Sequence, residues 1–107
     1  MFDYEISPSD AAELLRNQSV RLIDVREPWE FAATSVAGSL PIPMGEIPLR
    51  APIELDRGEQ LIVMCHHGVR SMNVTVWLRR QGFEKAQSMR GGIDAWSLEV
   101  DPTVARY

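Results

Sequence analysis

The 107-residue sequence has one cysteine, Cys65, and one lysine, Lys85; the other ten basic residues are arginine. A single cysteine excludes an intramolecular disulfide and fits a reducing compartment. Fifteen acidic residues outnumber eleven basic ones, for a net charge of −4. That balance argues against a nucleic-acid partner, which calls for a basic stripe. No apolar run approaches the ~18 residues that span a bilayer. The start, Met1 to Ile6, carries no basic segment followed by an apolar core, so no secretory signal is read there. The expectation is a cytoplasmic protein with no membrane and no nucleic-acid partner. Low-complexity tracts and internal repeats are missing too. A chain of this length fits one domain over residues 1–107 and buries roughly two thirds of its unfolded surface without a staple.

The chain alternates short apolar runs with helical patterns. Residues 4–6 read as a strand. Ser7, Pro8 and Asp10 then open a helix as N-cap, first helical position and first-turn acid, with Ala11, Leu14 and Leu15 on its apolar face. Arg21 to Val25 reads as a buried strand. A short helix follows Pro28, and Leu40 to Pro43 is extended. Residues 44–58 are expected to be irregular, with Pro48 and Pro52 breaking any long helix. Gln60 to Cys65 is the most hydrophobic strand candidate and is placed centrally. A helix over 70–81 follows, facing Val74, Trp77 and Leu78 inward and ending at Gly82. Ala86 to Met89 is the last strand, Gly91-Gly92 open the last helix, and the tail from Asp101 to Tyr107 is read as extended. Such alternation implies an α/β fold with a mostly parallel sheet and helices on both faces. Sites in these folds form beyond the carboxyl ends of the strands, where Cys65 falls.

The chemistry concentrates in Cys65-His66-His67-Gly68-Val69-Arg70-Ser71, between a buried strand and a helix start. A first helical turn has main-chain N–H groups without intrahelical partners. Curled around a sulfur, they form an anion nest at the positive end of the helix dipole. A thiolate is stabilised there, and the outer sulfur of a persulfide lies nearer the nest's centre. The same amides suit an anionic sulfur donor or the charge of a transition state. Gly68 supplies a left-handed loop residue. Arg70 either meets an anionic donor or braces the loop. Ser71 caps the helix or bonds the sulfur.

Other groupings carry less. Cys65, His66 and His67 match no usual zinc spacing, and adjacent residues in a tight loop do not form a Cys–His nucleophile pair. Both imidazoles are expected at the pocket mouth or in plain exposed loop. Asp24, at a strand end, is a candidate acceptor for the Cys65 loop or an ordinary turn carboxylate. Trp29, Trp77 and Trp96 read as core, as do Met44, Met64 and Met89; Met72 is a candidate pocket wall.

The loop CHHGVR resembles the six-residue active-site loop of the rhodanese family. Leu22 to Glu27 with Trp29-Glu30-Phe31 is similar to that family's entry motif, Ala37 to Pro43 to its turn, and Gly82-Phe83 and Arg90 to Trp96 to its closing pattern. The resemblance runs in order over nearly the whole chain. It implies a rhodanese-like, five-stranded sheet and sulfur transfer through a Cys65 persulfide. The donor would be thiosulfate or a persulfide, and the acceptor cyanide or a thiol. His66, His67, Gly68, Val69, Arg70 and Ser71 would bind the substrate, Asp24 and Arg26 would support the site, and no metal or organic cofactor is implied. A sulfur-relay protein is a further candidate partner. Thr34-Ser35 stand where the family usually has Gly-His.

Two other function classes compete. Phosphatases and arsenate reductases on related folds hold an oxyanion in a longer Cys-x5-Arg loop, whereas only four residues separate Cys65 from Arg70. A purely regulatory module would not need the intact cysteine loop.

Overall fold

The apolar runs assemble into a single sheet, and the computed structural model describes residues 3–107. The elements are β1 (Glu5–Ile6), α1 (Pro8–Arg16), β2 (Arg21–Asp24), α2 (Pro28–Ala33) and β3 (Leu40–Pro41). A 3₁₀ turn (Met44–Glu46), α3 (Ile47–Glu54), β4 (Leu61–Met64), α4 (Val69–Arg80), β5 (Ala86–Met89) and α5 (Gly92–Glu99) complete it. The strand order is β1-β5-β4-β2-β3, and all four neighbouring pairs are parallel. β4 takes the middle position because its four residues, Leu-Ile-Val-Met, are apolar on both faces and fully buried.

Alternate residues of the central strands feed two cores. Ile23, Val25, Leu61, Val63 and Cys65 pack against Ile47 and Ala51 of α3 and Val74 and Leu78 of α4. Leu22, Ile62, Met64 and Met89 pack against Ala11 and Ala12 of α1 and Ile93 and Trp96 of α5. The sheet is thus covered on both faces, and the carboxyl ends of β2, β4 and β5 converge at one edge. The helix start at Ser7 is as expected: its hydroxyl accepts the Asp10 N–H at 3.1 Å.

Four sequence expectations need correcting. The 44–58 segment is not irregular but holds the 3₁₀ turn and α3. Pro48 lies in the first turn, where its missing N–H costs nothing, and Pro52 removes a single bond from a two-turn helix. Arg50 binds Glu46 at 3.0 Å and Glu54 at 2.6 Å, one turn away on either side. Trp29 is not core; it is 66% exposed on α2, with its ring edge toward Tyr107. Met44 is likewise exposed, at the start of the 3₁₀ turn. Trp96 is buried and Trp77 half-buried. The tail does not run off extended: a turn at Asp101–Val104 sends it back across the molecule.

Candidate active site

β4 ends at Met64, and the chain turns at once into α4, which sets Cys65 at the strand's carboxyl end, 1% exposed. Gly68 makes the turn. Its φ is +106°, and a β-carbon there would stand 3.2 Å from the Gly91 nitrogen. The Gly68 N–H donates to Cys65 Sγ at 3.0 Å. The thiol donates to Ser71 Oγ at 3.3 Å, and the Ser71 hydroxyl reaches the Gly68 carbonyl at 3.2 Å. Behind it lies Ser88 of β5, its Oγ 2.7 Å from Ser71 Oγ. Among the described residues, none accepts from the main-chain N–H groups of His66, His67, Val69, Arg70 or Ser71. These amides belong to the loop and first helical turn, so they leave unused donor capacity beside the sulfur.

The loop is held from the far side by α5. Ile93 N–H donates to the Cys65 carbonyl at 2.8 Å and Asp94 N–H to the His66 carbonyl at 3.2 Å. That approach demands glycine at position 92. Its φ is +61°, and a β-carbon would collide with the Cys65 and His66 carbonyls.

A chain of alternating charges flanks the loop. Asp24 accepts from Arg26 Nε at 2.9 Å and from its Nη2 at 2.7 Å, with both side chains essentially inaccessible. Arg26 also donates to the main-chain carbonyls of Glu30 at 3.2 Å and Thr34 at 2.7 Å, and to the Tyr107 hydroxyl at 3.1 Å. Burial works against its charge, but the bonds to Asp24 and Tyr107 outweigh it and hold its pKa above the ordinary value. The Tyr107 hydroxyl in turn donates to Glu30 Oε2 at 2.6 Å. Glu30 receives Arg70 through both oxygens, at 2.7 and 2.9 Å, and the Glu27 N–H at 2.9 Å. The Arg70 bond, working against burial and helped by the Tyr107 hydroxyl and the Glu27 N–H, brings the Glu30 pKa down to about 2; Glu30 in turn raises that of Arg70.

At the rim, the Tyr107 ring lies flat on His66 at 3.9 Å and His66 on His67 at 3.9 Å. His66 Nε2 lies 3.0 Å from the Tyr107 main-chain oxygen. Burial first, then the neighbouring His67, push the His66 pKa below its usual value. His67 is largely exposed and stands 4.0 Å from Asp94. Among the described residues, no group of three His, Cys, Asp or Glu side chains is arranged to hold a metal.

The structure therefore gathers Cys65, His66, Gly68, Arg70 and Ser71 at one place. His67 lies farther out on the loop, and the Val69 side chain is 72% exposed. Arg70 braces the loop through Glu30. The expected bond from the Cys65 loop to Asp24 is absent: the carboxylate is occupied by the Arg26 side chain and main-chain N–H. Thr34, in the unusual Thr-Ser pair, serves Arg26 through its carbonyl, which any side chain permits. Met72 is half-buried on α4. Three residues escaped sequence reasoning. Glu30 had a local cue, a glutamate three residues into a helix start, which reads as half of a capping box. Ser88 had a weaker one, a hydroxyl in a wholly buried strand that needs a partner. Tyr107 had none, since only the folded chain brings it to the site.

A buried cysteine at a parallel strand's carboxyl end, wrapped by a glycine-turned loop and a helix start, defines an α/β protein of the cysteine-loop class. The rhodanese-like domain model matches residues 7–99, and the chain belongs to that family. It is 36% identical over 103 residues to a thiosulfate sulfurtransferase GlpE of Actinobacillus pleuropneumoniae, covering 96% of this chain and 94% of the relative. It is 40% identical over 90 residues to the chloroplastic rhodanese-like/PpiC domain-containing protein 12 of Arabidopsis thaliana, of which it spans only 30%. A rhodanese-related protein of Thermoplasma volcanium superposes with a TM-score of 0.85 at 31% identity, over 98% of this chain and all of the other.

Proposed function

We propose that the chain is a sulfurtransferase that carries sulfane sulfur on Cys65 from thiosulfate or a persulfide to cyanide or a thiol. The observation that carries this reading is the Cys65 loop: a sulfur bonded by Gly68 N–H and Ser71, in a loop and first helical turn whose other main-chain donors have no acceptor among the described residues. Relatives named thiosulfate sulfurtransferase support thiosulfate as donor.

The steps balance without a further reagent. The Cys65 thiolate attacks the outer sulfur of thiosulfate, an S–S bond forms, and sulfite leaves with the electron pair of the bond it breaks. The amides of His66, His67, Val69, Arg70 and Ser71 would receive the donor's charge and then the outer sulfur of the persulfide. Cyanide next attacks that outer sulfur, thiocyanate departs, and the thiolate is restored. A thiol acceptor would leave as a persulfide instead. No separate base takes part in the transfer itself, because the ionised thiol is the nucleophile. Arg70 and Glu30 hold the loop's outer side, Asp24 and Arg26 brace it, and His66 with His67 form the entrance. Residues 1–107 would act as one catalytic domain, in a reducing compartment such as the cytoplasm, with small donors and acceptors or a protein relay as partners.

The test is thiocyanate formation from thiosulfate and cyanide by the protein and by Cys65→Ser. Turnover by the first and background from the second supports the reading. Equal rates, or none from either with any sulfane donor, would sink it.

A further inference from the structure

We infer that Ser88 is a positioning residue for the reacting sulfur, acting through Ser71 to favour the anionic state of Cys65. The inference rests on the sulfurtransferase reading for its relevance to turnover, but its geometry stands alone. Ser88 Oγ is fully buried, and its one partner among the described residues is Ser71 Oγ, at 2.7 Å. A buried hydroxyl whose proton finds no acceptor is costly. Ser88 therefore donates to Ser71, because the reverse direction would leave its own proton without a partner.

With that bond fixed, the Ser71 proton has two destinations, the Gly68 carbonyl at 3.2 Å and Cys65 Sγ at 3.3 Å. In the thiol state, Ser71 accepts from both Ser88 and the thiol, and donates to Gly68. In the thiolate state, the thiol proton has gone to solvent water and Ser71 turns its hydroxyl onto the sulfur. The Gly68 carbonyl is not orphaned by this, since it still accepts from the Met72 N–H at 3.1 Å. Every group is satisfied in both states, so the change needs only one hydroxyl rotation. Ser88 biases the balance. Its donation polarises Ser71 into a stronger donor toward anionic sulfur. The Gly68 N–H, at 3.0 Å, is the second fixed donor.

The experiment compares wild type, Ser88→Ala, Ser71→Ala and the double variant. Cys65 alkylation by iodoacetamide is followed across pH, together with thiosulfate–cyanide kinetics and a urea melt. In Ser88→Ala the acid limb of the alkylation profile moves to higher pH. Alkylation near neutrality slows about three- to tenfold, the equivalent of one net hydrogen bond. kcat falls alongside, while KM for thiosulfate holds. Adding Ser88→Ala to Ser71→Ala changes nothing more, because the effect travels through Ser71. An unchanged profile in Ser88→Ala, or full additivity of the two substitutions, would overturn the inference. A wild type that alkylates as described yet transfers no sulfur would instead defeat the proposed function and leave the relay intact.

Discussion

The Tyr107 hydroxyl donates to Glu30 Oε2 at 2.6 Å while accepting from Arg26 at 3.1 Å. One phenol thus joins two ion pairs, Asp24–Arg26 and Glu30–Arg70, into a continuous strut beside the cysteine loop. Tyr107→Phe keeps the ring on His66 but removes both bonds. Stability should fall by about 1–2 kcal/mol, because the buried Glu30 and Arg26 each lose a hydrogen-bond partner. A urea melt gives the answer, and an unshifted midpoint would show that the hydroxyl contributes nothing.

Acid should dismantle the same strut. Glu30 has a folded pKa of about 2 against an ordinary 4.5, chiefly through Arg70. A carboxylate with a depressed pKa stabilises the fold above its unfolded value. That contribution is lost as pH drops from about 4.5 through 2, and should amount to roughly 1–3 kcal/mol. Glu30→Gln should lower stability at neutral pH and flatten this part of the stability–pH curve. Parallel curves for the two proteins would contradict the assignment.

The Asp24–Arg26 pair makes a harsher demand. Both side chains are out of solvent, so Asp24→Asn leaves a guanidinium without its counter-charge. The cost should be about 3–5 kcal/mol, measurable as a large drop in melting midpoint. A cost below about 1 kcal/mol, the range of exposed pairs, would refute the structural role.

Gly92→Ala tests how the loop is held. The added methyl would collide with the carbonyls of Cys65 and His66, at a backbone conformation that favours glycine. The variant should lose most sulfur-transfer activity, and amide shifts in a heteronuclear NMR spectrum should centre on residues 65–68 and 91–94. Full activity would mean the contact between α5 and the loop is dispensable.

Much of this was legible in the sequence because the signals were local. The apolar run before Cys65 marked the central strand, and Ser7-Pro8 marked a helix start. Gly68 and Gly92 mark places where the main chain must approach closely or turn left-handed. What stayed hidden depends on contacts between distant parts of the chain. Glu30 meets Arg70 forty positions away, and Tyr107 meets Arg26 eighty-one away. Trp29 misled because an aromatic at a helix start usually marks core, yet here it sits outside the tail. Pro52 misled because a two-turn helix tolerates one missing bond.

The most direct test of the central claim is the intact mass of the purified protein after incubation with thiosulfate and again after cyanide, beside Cys65→Ser. The account predicts a gain of one sulfur atom that cyanide removes, and no gain in the variant. A wild type that gains no sulfur from thiosulfate or from a small persulfide, or a variant that gains it equally, would contradict the claim.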